Sequence, residues 1–111
     1  MQKPNERPES WRATTLAKAK SVVQTPTFKK AVKKLKTNQK KELDKAVREL
    51  MAEPTLGEQK KGNLAFLRVY KFKMDKQLTL LGYGFDDGTL TLELMAIGSH
   101  ENFYRDIKRR T

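Results

Sequence analysis

The stretch Leu90-Thr91-Leu92-Glu93-Leu94-Met95-Ala96-Ile97-Gly98-Ser99-His100-Glu101-Asn102-Phe103-Tyr104-Arg105-Asp106-Ile107 changes its hydrophobic period part-way along, and that change decides the fold class. Leu90, Leu92, Leu94 and Ala96 fall on one side and Thr91 and Glu93 on the other, the two-residue alternation of a strand with one buried face. From Ser99 onward the spacing becomes helical: His100, Phe103, Tyr104 and Ile107 share a stripe, and Ser99 stands where an N-cap is expected. A strand thus runs directly into a helix, and the single histidine of the chain sits at the junction.

Two further runs rich in aromatic and aliphatic residues, 66–74 and 77–85, precede this strand. Asp75-Lys76 separates them and Asp86-Asp87-Gly88 separates the second from residues 89–97, links short enough to predict a three-stranded antiparallel meander. Upstream, Phe28, Ala31, Val32 and Leu35 follow helical spacing, with Lys29, Lys30, Lys33, Lys34 and Lys36 on the outer side. Thr37-Asn38 interrupts that pattern, and Leu43, Ala46, Val47, Leu50 and Met51 resume it until Pro54 closes the second helix. So short a link predicts an antiparallel helix hairpin. Thr25 or Thr27 is available as its first cap, and Ser21-Val22-Val23-Gln24 reads as a short strand before it. The predicted fold class is α+β: strand, helix hairpin, three-stranded antiparallel meander and C-terminal helix, with the helices on one side of the sheet.

Residues 1–20 read as an N-terminal extension, and residues 21–111 as one domain. Residues 1–9 are expected to be a loose tail, and residues 11–19 a short helix that needs to dock through Trp11 and Leu16. The formal charge of +11, from 24 Lys and Arg against 13 Asp and Glu, favours a polyanionic partner: nucleic acid, an acidic protein, or both. Without cysteine and with one histidine, neither a thiolate site nor a histidine cluster can bind a metal, and no cofactor is expected. No apolar run approaches the roughly 18 residues that span a bilayer, and the N-terminus lacks the apolar core of a signal peptide, so a cytoplasmic protein is expected.

Several local signatures, in this order, resemble the RelE/ParE superfamily of bacterial toxins from type II toxin-antitoxin systems. They are Thr25-Pro26-Thr27-Phe28-Lys29-Lys30, Pro54-Thr55-Leu56-Gly57, Leu67-Arg68-Val69-Tyr70-Lys71-Phe72 and Gly98-Ser99-His100-Glu101-Asn102-Phe103-Tyr104. The likeness spans about residues 21–109, and the last signature looks most like the YafQ- and StbE-type mRNA interferases. The resemblance implies a ribosome-dependent endoribonuclease that cleaves translated mRNA, arrests growth and is held by an acidic antitoxin in a hetero-oligomer. It also implies that His100 is catalytic, with Tyr104 beside it. The chain departs from YafQ-like enzymes in having no second histidine: Lys73 and Gln77 fall near the positions of their further site residues.

Cleavage by the internal route needs a base for the 2′-hydroxyl, charge stabilisation at the phosphorane, and a proton for the departing 5′-oxygen. An imidazole, whose ordinary pKa is about 6.5, suits the first task, which points to His100. Arg68 suits the second because a guanidinium holds phosphate oxygens bidentately. Lys73, Tyr104 or a ribosomal group is left for the third, and Tyr104 also offers a ring on which an unpaired base can stack. Lys60, Lys61, Lys71 and Arg105 complete the expected RNA contacts. Each has a plainer reading: His100 as a surface residue at a helix start, Tyr104 as part of the core, Arg68 paired across the sheet, and the helix lysines as a solvated face. Two other functions stay open, a ParE-like DNA gyrase inhibitor in which His100 is incidental, and a non-catalytic basic RNA-binding module.

Overall fold

Thr25 leaves β1 (Ser21–Gln24) in an extended conformation and caps α1 (Pro26–Lys33), its hydroxyl accepting from the Phe28 N–H at 3.2 Å while Pro26 occupies the first turn. Of the two predicted caps, Thr25 is therefore the one used. The structure, a computed structural model, describes residues 18–110, with side chains as far as Lys108. The expectations for residues 1–17, the tail and most of the short helix, lie outside the described residues; Ala19 is buried, and its N–H donates to the Met51 carbonyl. Three residues after α1, α2 (Thr37–Ala52) begins at the very Thr37-Asn38 pair expected to be a break, because Gln39 Oε1 accepts from the Lys36 N–H at 2.8 Å and starts the helix there.

A two-residue β2 (Glu58–Gln59) and a 3-10 turn (Gly62–Leu64) then lead into β3 (Arg68–Met74), β4 (Gln77–Asp86), β5 (Thr91–Gly98) and α3 (His100–Arg110). The sheet order is β1-β5-β4-β3-β2, with β1 parallel to β5 and the remaining pairs antiparallel. The predicted meander is present as β3, β4 and β5. β1 returns beside its last strand through the long crossover that a parallel pair requires. The Asp75-Lys76 hairpin is a two-residue turn with both residues at positive φ, 55° and 68°.

The helices do not share one side of the sheet, and the alternation along β4 explains why. Leu81 and Tyr83 join Phe28, Val47, Leu50 and the other buried residues of α1 and α2 in one core. Leu80 instead joins Phe103 and Ile107 of α3, together with Leu67 and Val69, in a second core on the opposite face. Alternation in β5 holds only as far as Leu94. Gly82 pairs with Ala96 and Tyr83 with Leu94, so Met95 is an extra residue, and this bulge sends Ala96 to the α3 side while Ile97 takes its place in the first core. Among the described residues no helix is long and apolar enough to cross a membrane.

Candidate functional site

The end of β5 aims α3 across the sheet. Ser99 begins the helix, its carbonyl accepting from the Phe103 N–H at 2.8 Å and its hydroxyl lying 3.5 Å from the Asn102 N–H. Phe103 and Ile107 are fully buried, so one stripe of α3 is fixed and the adjoining stripe carries His100 and Tyr104. His100 is exposed and Tyr104 half-buried. Their rings lie 4.9 Å apart at 55°, and Tyr104 meets Phe103 edge-on at 5.0 Å.

The loop after β2 supplies a cation. The Lys60 N–H donates to the Leu67 carbonyl at 2.9 Å and closes that loop, and the side chain of Gln59 bonds the Ala65 carbonyl within it. Lys60 Nζ consequently stands 5.9 Å from the centre of the Tyr104 ring and 3.1 Å from Glu58 Oε1. Hydrogen bonding to Tyr104 and then to Glu58 pushes the Lys60 pKa above the ordinary lysine value, against a smaller opposing effect of burial. Lys60 is a held cation and a poor base. Glu58 is exposed and its carboxyl is held below the usual range, chiefly by its hydrogen bond and charge interaction with Lys60 and further by Lys71 and Lys61.

Among the strand cations, register decides which one faces this cluster. Gly98 pairs with Leu80 and Leu80 with Lys71, so Lys71 lies in the same cross-strand row as the residue that precedes α3. It shares the α3 face with Val69 and is exposed. Lys73 is two positions further along β3, beside the hairpin, where it lines a shallow groove with Glu42, Glu49 and Tyr70. Arg68 does not join His100. Alternation places it on the Tyr70 face, and its Nη1 donates to the Gly57 carbonyl at 2.7 Å and lies 3.4 Å from that of Thr55. The expected phosphate clamp thus braces a loop. Lys61 and Arg105 are exposed at the rim, and Arg105 Nη2 donates to Asn102 Oδ1 at 2.8 Å.

The structure therefore assembles His100, Tyr104, Lys60 and Lys71 and leaves Arg68 and Lys73 out of that group. Glu58 is the member that sequence reading passes over. Its spacing of two from Lys60 is the signal for a shared strand face, but β2 is too short for its alternation to stand out. Chemically, the cluster offers a solvent-accessible imidazole beside an aromatic ring and two ammonium groups, one of them fixed. Such a surface suits a phosphodiester better than a neutral substrate.

The family model described as a ParE-like toxin of type II bacterial toxin-antitoxin systems matches residues 22–108, from β1 into α3. Solved structures of similar fold include RelE in the intact Escherichia coli RelBE toxin-antitoxin complex, with a TM-score of 0.57 at 19% identity over 70% of this chain and 93% of that one. A doubly arginine-substituted E. coli RelE in the free state gives a TM-score of 0.62 at 20% identity over 80% of this chain and 94% of that one. Isolated E. coli RelE gives 0.56 at 19% identity over 81% and 97% respectively. No curated protein matches the chain significantly in sequence. At these identities the likeness to RelE is one of fold.

Proposed function

The chain belongs to the ParE-like toxin family of type II bacterial toxin-antitoxin systems, and from that premise we propose that it is a ribosome-dependent endoribonuclease acting on translated mRNA. The observation that carries the reading is the grouping of His100, Tyr104 and Lys60 where β5 passes into α3. His100 accepts the proton of the 2′-hydroxyl as its oxygen bonds to phosphorus. Lys60, which keeps its proton, stabilises the extra negative charge of the phosphorane together with Lys71. The bond to the 5′-oxygen then breaks, leaving a 2′,3′-cyclic phosphate and a 5′-hydroxyl, with the departing oxygen taking a proton from a ribosomal group. Tyr104 packs against His100 and interacts with the Lys60 ammonium, so it is a positioning residue. With one imidazole in the chain, base and acid cannot both be histidines.

The antitoxin partner follows from the family, and the chain's +11 charge suits an acidic antitoxin segment and ribosomal RNA alike. The decisive experiment is induction in cells of the wild type beside His100→Ala, with primer extension on a reporter message. Cleavage and growth arrest are expected to fall by about 10²-fold or more for the variant, the usual size of a lost general base. Equal cleavage in both would remove His100 from the mechanism. Two observations favour a second reading: the matching family is described as ParE-like, and the chain has no second imidazole. A gyrase inhibitor would block supercoiling by purified gyrase and leave messages intact.

A further inference from the structure

A single carboxylate stands among the cations of the site. Glu58 lies opposite Val69 in the β2–β3 pair, and Val69 belongs to the core under α3, so Glu58 projects from that same face of the sheet. The bond from the Lys60 N–H to the Leu67 carbonyl carries this register one step further and places Lys60 opposite Leu67, again on the α3 face. In the other direction Lys71 is the diagonal neighbour of Glu58 on β3. The cross-strand pattern thus sets the Glu58 carboxylate between Lys60 and Lys71, bonded to the first at 3.1 Å and attracted by the second and by Lys61.

Lys60 is held in place without this carboxylate. Its hydrogen bond to Tyr104 acts on it more strongly than the one to Glu58, its main chain closes the loop, and its side chain is only 25% exposed. The Glu58 side chain is 70% exposed. So exposed an ion pair adds little to stability and is easily exchanged. We infer that Glu58 occupies, in the free protein, the seat that a phosphodiester anion takes between Lys60 and Lys71, and that an RNA phosphate must displace it to reach them. Carboxylate and phosphodiester compete there for the same ammonium donors. RNA that offers only its backbone charge gains little from the exchange. A message fixed by further contacts elsewhere makes it readily, so Glu58 is a specificity-determining residue. The inference rests on reading Lys60 and Lys71 as phosphate contacts, and not on cleavage.

The test is binding of a short 2′-O-methyl oligoribonucleotide to the full-length chain, followed by fluorescence anisotropy across a salt series. That RNA has no free 2′-hydroxyl and stays intact. Glu58→Gln should bind it on the order of threefold to tenfold more tightly at low salt, the effect of one close charge in water, and the gain should shrink as salt rises. Glu58→Ala should reproduce the gain, with circular dichroism unchanged for both variants. Asp87→Asn removes the same charge from the exposed β4–β5 turn and should change affinity far less. In a Lys60→Gln background the gain from Glu58→Gln should disappear. Equal or weaker binding by both Glu58 variants overturns the inference. So does an equal gain from Asp87→Asn, which would make the effect one of net charge, or a gain that survives Lys60→Gln. If messages stay intact in cells while the gain is present, the endoribonuclease reading fails and the phosphate seat stands.

Discussion

Tyr83 is a buried phenol with both of its hydrogen-bonding roles used: its hydroxyl donates to the Pro54 carbonyl at 2.6 Å and accepts from the Gly57 N–H at 2.9 Å. Burial pushes its pKa above the ordinary value of 10.0, and the Gly57 N–H and Arg68 only partly oppose this. The folded chain therefore keeps its proton where the unfolded chain releases it. The stability that Tyr83 contributes is complete below about pH 10 and is lost as pH rises toward the folded value. Tyr83→Phe should cost about 1–2 kcal/mol near neutrality and flatten the fall in stability above about pH 10, as urea unfolding across that range will show. Arg68 holds the same loop from the other end. Arg68→Ala should lower stability by about 1–3 kcal/mol, with cleavage falling only as far as the folded fraction does. Lys71→Ala should do the reverse, staying within about 0.5 kcal/mol in stability and losing cleavage. Sequence alone offers either residue as the phosphate contact; only the strand's two-residue period, once its register is known, separates them.

At the level of elements, α3 depends on the absence of a side chain beneath it. A Cβ on Gly82 would lie 2.7 Å from Phe103 ring carbons and 3.0 Å from Leu67 Cδ1, and the ring is fully buried with no room to retreat. Gly82→Ala should cost about 1–3 kcal/mol as an overpacked contact. It should also lift the start of α3 from the sheet and separate Tyr104 from Lys60, so cleavage drops further than thermal melts account for. The helical stripe of α3 is legible because Phe103 and Ile107 bury one face of an otherwise polar segment. The bulge that ends the alternation of β5 is not legible. It is clasped from about seventy residues away, by the Thr25 N–H on the Leu94 carbonyl and the Thr25 hydroxyl on the Met95 carbonyl, both at 3.0 Å. A pattern read along one strand contains no trace of that clasp, and so the reading carries Ala96 onto the wrong face and all the helices onto one side.

Across the whole molecule, the two faces of the sheet divide the work. The α3 face holds His100, Tyr104, Lys60 and Lys71, whereas α1 presents the exposed Lys30 and Lys33 from the opposite face. If the chain acts on the ribosome, cations on both faces add to its affinity for a phosphate-rich surface, but only those beside His100 touch the reacting phosphodiester. Binding and chemistry should therefore separate by mutation. Ribosome association measured against salt should be log-linear. Lys30→Gln and Lys33→Gln should each reduce the slope by about one without changing the cleavage rate at saturating ribosome. On the proposed mechanism Lys60→Gln should lower that saturated rate, because it removes the charge assigned to stabilising the phosphorane. A fall in the saturated rate with Lys30→Gln or Lys33→Gln would mean that the α1 face reaches the scissile phosphate, which the opposite placement of α1 and α3 does not allow.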